Sequence, residues 1–124
     1  HALMRIDLFV DSKEDFARWV EAQKAPAAAP SGALAKQGAT AFLTAGCIAC
    51  HRIAGTPAQS PIGPDLTHVG SRKHLASGIL ENTPETMARW IRNPQAVKPG
   101  AKMAKLELSD EQVESIVSYL QGLK

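Results

Sequence analysis

The chain has 124 residues, of which 44% are hydrophobic but only 5% aromatic, and it carries a formal net charge of +2. That length holds one domain, or one domain with a fragment attached. So small a charge argues against a nucleic-acid partner, and no apolar run approaches the ~18 residues that cross a bilayer. Any membrane attachment would come through a larger parent protein.

Residues 5–10 alternate polar and apolar side chains through Leu8, which is a strand signal. Ser12 is placed to cap a short helix whose Phe16, Trp19 and Val20 share one face. One strand and one helix bury too little to stand alone, and the strand edge needs cover. Residues 1–24 therefore read as the end of a domain whose body lies elsewhere. Phe9, Phe16 and Trp19 are expected to find cover on the rest of the chain or on a neighbouring copy. Residues 25–33, rich in Ala and Pro, read as a semi-rigid linker.

Residues 34–124 read as all-α. A helix from about Leu34 is expected to run into the cysteines, with Gly38 and Phe42 one turn apart. Gly55, Pro57, Pro61, Gly63 and Pro64 mark a loop. Thr83 is a good N-cap, Pro84 suits the first helical position, and that helix should stop near Asn93 and Pro94. Ser109 and Gln112 form a capping box opening a last helix. Val113, Ile116, Val117 and Leu120 lie on one face of it, and Gly122 is available to end it.

Both cysteines of the chain fall in Cys47-x-x-Cys50-His51, the covalent attachment signature of a c-type haem. Two thiols three positions apart lie on nearly one side of a helical turn, so both can add to the vinyl groups of one porphyrin. The adjacent histidine then supplies the proximal axial ligand. No second cysteine pair exists to complete a zinc site, and the immediate histidine disfavours a redox dithiol. The pattern predicts one covalent haem c.

For the second axial position the candidates are Met103, Met87, His68, His74, or an open site. Met103 is favoured because it sits in a Pro/Gly-rich loop between two helices, able to bend round and present a thioether. Met87 lies inside a predicted helix, where methionine is more often core filler. His68 and His74 flank a loop and read most simply as solvated or hydrogen-bonded. His/Met ligation raises the potential relative to bis-His and saturates the iron, which favours electron transfer over chemistry at the haem. An open site would instead mean a haem enzyme or gas sensor. Haem attachment of this kind takes place outside the cytoplasm in bacteria, so the expected compartment is periplasmic or extracytoplasmic. The absence of a leader at His1 is then read as processing, trimming, or a membrane-anchored parent.

Taken together, residues 34–124 resemble the class I c-type cytochromes. The matching pieces are Gly38 and Phe42, the haem motif, Gly63 to Leu66, Trp90 to Pro94, the loop bearing Met103, and the last helix with Tyr119 and Leu120. The resemblance implies that the first and last helices of this region cross closely, bringing Gly38 and Phe42 against Ile116 and Tyr119 or Leu120. It implies that the Pro64 carbonyl accepts a hydrogen bond from His51 Nδ1, fixing the ring and raising its donor strength. It also implies that Trp90 packs near a haem propionate, against the plainer reading of a core aromatic. Arg72 is a further propionate candidate, with a solvated loop arginine the alternative.

The first segment carries a second resemblance. His1 and Met4, with the strand and helix after them, are similar to the end of the copper (CuA) domain in subunit II of haem–copper oxidases. There the last histidine and methionine of the copper site stand in this spacing, and copper domain, linker and cytochrome c is the order in caa3-type oxidases. The CuA site needs two bridging thiolates, and the only cysteines here are committed to haem, so no copper is expected in this chain. The implied role is electron transfer from a donor protein to the CuA domain and onward to subunit I of the parent oxidase. Another CuA-containing reductase, or a freestanding monohaem carrier, is the alternative. Residues 36–105 hold nine Lys or Arg against Asp65, Glu81 and Glu85, a balance of +6, whereas residues 106–124 balance at −3. Basic charge near Met103 would steer an acidic partner; a solvated mixed surface is the plainer reading.

Overall fold

The computed structural model describes residues 6–124. His1 and Met4, and with them the proposed copper-site spacing, lie outside the described residues. Residues 6–10 carry no strand, which corrects the expected strand-helix start. A strand exists only through ladder hydrogen bonds, and the ladders among the described residues are His74–Leu75 with Leu80–Glu81 and the Arg52–Gln59 bridge. Helix α1 (Lys13–Lys24) follows, and the Ser12 hydroxyl accepts from the Asp15 amide to cap it.

Helix α2 (Gly32–Thr44) stops before the cysteines and does not run into them. Gly46 turns the chain with φ 92, a left-handed value that glycine adopts without steric cost. The cysteines then ride on a short 3-10 turn, Cys47–Ala49. Helix α3 (Pro84–Arg92) opens on a capping box between Thr83 and Thr86. A one-turn helix, α4 (Pro94–Val97), continues past Asn93, whose side-chain oxygen accepts from the Ala96 amide. Helix α5 (Asp110–Gln121) opens on the Ser109–Gln112 capping box. It ends at Gly122 in a right-handed conformation, so the glycine's left-handed freedom is not used there.

The core is the crossing of α2 and α5. A Cβ on Gly38 would lie 1.8 Å from the Ser115 carbonyl oxygen and 2.9 Å from Tyr119 Cβ, so only hydrogen fits between the backbones. Phe42 meets Tyr119 edge-on with ring centroids 6.0 Å apart. Ile53, Val113, Ile116 and Leu123 fill the space around them, all buried. The close approach extends to the C-terminus, where the Gly70 amide donates to the Leu123 carbonyl at 2.8 Å.

A two-stranded antiparallel hairpin, β1 (His74–Leu75) and β2 (Leu80–Glu81), was not foreseen because two-residue strands leave no readable alternation. Ala76, Ser77 and Gly78 all have positive φ in its turn. The Lys98 ammonium secures this tip by donating to Ser77 Oγ at 3.1 Å and to the Ala76 carbonyl at 3.5 Å. Asn82 joins the hairpin to the rest. Its amide donates to the Val69 and Arg72 carbonyls, and its side-chain oxygen accepts from Gln121 Nε2 at 2.9 Å.

The first segment lies against the loops rather than against the core. The Ala27 amide donates to the Ala54 carbonyl at 3.0 Å, and His68 Nε2 meets the Ala25 carbonyl at 3.2 Å. Asp7 pairs with His74 at 3.1 Å, and the Lys73 ammonium sits 3.8 Å from the centre of the Phe9 ring. Phe16 and Trp19 stack on one another at 5.8 Å but remain 56% and 55% exposed.

Candidate haem-attachment site

The site is built by the turn after α2 and the loop of residues 50–67 that folds back over it. Cys47 is half-buried and Cys50 exposed, and both thiols are free. Burial pushes the Cys47 thiol above its ordinary pKa, and the neighbouring Cys50 sulfur adds to the effect. The His51 amide donates to the Cys47 carbonyl at 3.0 Å, closing the turn and setting the direction in which the imidazole leaves it.

His51 is held from its far side. Its Nδ1 lies 2.8 Å from the Pro64 carbonyl oxygen. A backbone carbonyl only accepts, so the ring must carry its proton on Nδ1, which leaves the Nε2 lone pair as the metal-binding atom. Gly63 lies under the same ring. A Cβ there would come 2.9 Å from His51 Cε1 and 3.0 Å from Nδ1, so a side chain would displace the imidazole. The sequence marked Gly63 as a loop residue and as the start of a piece shared with the class I cytochromes, and gave it no contact with the ring. Its place one position before Pro64, the residue expected to meet His51, was the available signal.

The loop that carries Gly63 and Pro64 is fixed by Asp65. Its carboxylate accepts from Arg52 Nη1 at 2.8 Å and from the Thr67 amide at 2.8 Å, and it also takes the Thr67 hydroxyl. Burial would raise the Asp65 pKa, but the two Thr67 donors and Arg52 outweigh it and hold the carboxyl below the usual range. The Leu66 amide donates to the Arg52 carbonyl at 2.8 Å, and buried Thr67 accepts the Ala54 amide at 2.9 Å. The guanidinium of Arg72 donates to the Asp65 carbonyl. Arg72 therefore joins this loop as a strut while remaining exposed to solvent.

The alternatives for the second ligand separate by what they touch. Met87 is buried on α3, with its sulfur 3.8 Å from Gln121 Nε2. His68 faces the Ala25 carbonyl and His74 faces Asp7. Met103 is half-buried in the loop between α4 and α5, and its carbonyl accepts from Gln95 Nε2 at 2.6 Å. Trp90 is half-buried near the end of α3 and packs against the core.

Two free thiols on one turn, followed by an imidazole with its Nε2 lone pair left open, form the donor set that a thioether-linked haem requires. A small helical domain with α2 crossing α5 above that turn is the architecture of a cytochrome c. The sequence profile of the family described as cytochrome c matches residues 35–124, and the chain belongs to this family. Its members carry a covalently bound haem c and transfer electrons through it.

The chain is 38% identical over its full length to cytochrome c oxidase subunit 2 of Alkalihalophilus pseudofirmus. It is also 31% identical over its full length to the protein of the same name from Bacillus subtilis. In both cases it spans only 36% of the relative's length. It is 34% identical to cytochrome c2 of Blastochloris viridis over 81% of this chain and 84% of that protein. No described helix is long and apolar enough to cross a membrane.

Proposed function

We propose that this chain is the electron-transfer end of subunit II of a caa3-type oxidase. In this reading residues 34–124 are the cytochrome c domain, residues 25–33 the linker, and residues 1–24 the end of a CuA domain. Cys47 and Cys50 bind one haem c as thioethers, and His51 Nε2 and the Met103 sulfur ligate its iron. Trp90 closes the propionate side. The observation that carries the site is the 2.8 Å contact between His51 Nδ1 and the Pro64 carbonyl, directly after the thiol pair. The oxidase context is supported by similarity to three subunit 2 proteins that runs through residues 1–24 as well.

When bound, the haem supplies a one-electron ferric–ferrous couple. The chain's own residues keep the surroundings unchanged as the charge changes. Pro64 holds the proton on His51 Nδ1, and the Asp65–Arg52–Thr67 network holds Pro64. The electron comes from a donor protein and passes to a CuA centre outside this chain, then to subunit I, on the extracytoplasmic face. The chain performs no bond chemistry and binds no copper, since both thiols are committed to haem.

Similarity to cytochrome c2 over most of that protein supports a second reading, a freestanding carrier. Two measurements on the haem-loaded protein decide. A low-spin ferric spectrum with a weak sulfur-to-iron band, lost in Met103→Ala, supports the ligand set. A high-spin spectrum that binds CO or cyanide rapidly refutes it. Stopped-flow reduction of an isolated subunit II CuA domain supports the oxidase role. No reduction of it, with ready transfer to soluble acceptors, favours the freestanding carrier.

A further inference from the structure

We infer that Gln95 is a positioning residue that clamps the Met103 loop and sets how readily Met103 leaves the iron; this rests on Met103 being the ligand. The loop between α4 and α5 has no regular structure, and its backbone has few ties. The Ala101 amide donates to the Lys98 carbonyl at 3.0 Å. Gln95 Nε2 donates to the Met103 carbonyl at 2.6 Å and lies 3.3 Å from the Ala101 carbonyl. Among the described residues, the Gln95 amide makes the single hydrogen bond to the Met103 peptide. A primary amide has two N–H donors, so one side chain can serve both carbonyls at once.

The base of this clamp is rigid. Gln95 sits on α4, whose first residue Pro94 is buried in the core and whose start is capped by Asn93. The next residue but two, Lys98, fastens the end of α4 to the turn of the hairpin. Motion of Met103 away from its place therefore breaks the Gln95 contact to its carbonyl. Gln95 itself touches neither the thiols nor His51, and its own exposure means that the bond competes with water. Its loss should act on the lability of the ligand and leave the fold intact.

The test is made on the haem-loaded protein, with imidazole as the probe that replaces methionine at the iron. At saturating imidazole the displacement rate reports dissociation of the Met103 sulfur. Gln95→Leu removes both donors without adding charge and should speed displacement by roughly threefold to tenfold, the range for one net hydrogen bond. Gln95→Lys restores a donor and should return the rate toward that of the parent. The thermal midpoint of both variants should match the parent's. A parental rate in Gln95→Leu overturns the inference, as does equal acceleration in Gln95→Leu and Gln95→Lys. If Met103→Ala leaves the ferric spectrum unchanged, the ligand assignment fails and the clamp falls with it. If Met103→Ala abolishes the sulfur-to-iron band while Gln95→Leu exchanges normally, the clamp alone fails.

Discussion

Gly38→Ala tests the helix crossing that holds the site together. The added methyl would stand 1.8 Å from the Ser115 carbonyl oxygen and 2.4 Å from its carbon. Ordinary contact begins near 3.5 Å, so α2 and α5 must separate by more than 1 Å, and backbone cannot rotate out of the way as a side-chain tip can. Separation loosens Phe42 against Tyr119 and the buried Val113 and Ile116. Forcing a methyl into such a core costs about 3 kcal/mol. Against this, alanine is the better helix former by about 1 kcal/mol. The net loss of about 2 kcal/mol should lower the melting temperature by about 10 °C in a domain of this size. The measurement is far-ultraviolet circular dichroism on the haem-loaded protein, with Gly122→Ala as control. There a Cβ meets nothing closer than 3.2 Å and φ is not left-handed, so little change is expected. A Gly38→Ala protein melting within about 2 °C of the parent would refute the argument.

Gly63→Ala should act on the ligand, because its Cβ would press on His51 at 2.9 Å; altered axial-ligand resonances in NMR at near-parental helicity are the expected result, and unchanged resonances the contrary one. Phe42→Ala removes a fully buried ring and should cost about 3 to 5 kcal/mol by chemical denaturation. Ser109→Ala removes the cap of α5 and should cost about 1 kcal/mol in the same assay. The Asp65 carboxyl, with its pKa lowered in the fold, stabilises the protein above the unfolded-state value near 4. That contribution disappears as pH falls through the lower folded value. Because its side chain is 40% exposed, the effect is at most about 1 kcal/mol. Asp65→Asn should therefore be less stable than the parent at pH 6, with the gap closing as pH falls through the lowered folded value; no gap at pH 6 would contradict the network.

The helices of the cytochrome region were legible because each carries its own boundary signals. Thr83 with Pro84, and Ser109 with Gln112, cap within a few residues of the chain, so local chemistry suffices to place α3 and α5. The end of α2 was missed because helix propensity continues through Ala45, and only the left-handed turn at Gly46 breaks it. Residues 5–8 have the alternation of a strand, yet alternation describes two faces and does not by itself create a ladder. The hairpin at residues 74–81 failed in the opposite way, having a partner but too few residues to display a period.

What the sequence determined by itself is the chemistry. Two thiols and an imidazole at fixed spacing specify a covalent haem because the bonds are made by residues adjacent in the chain. What only the tertiary structure decided is how those groups are held. Pro64 lies 13 positions after His51, and the chain between them had to fold back for a carbonyl to meet Nδ1. Gly63 had to lie under the ring, Asp65 had to gather Arg52 and Thr67, and Gln95 had to reach the Met103 peptide. The His51–Pro64 contact was implied by the family resemblance; the others have no local period or motif. Each exists because a loop, residues 51–67 or residues 95–103, folds back on itself and brings separated groups within reach.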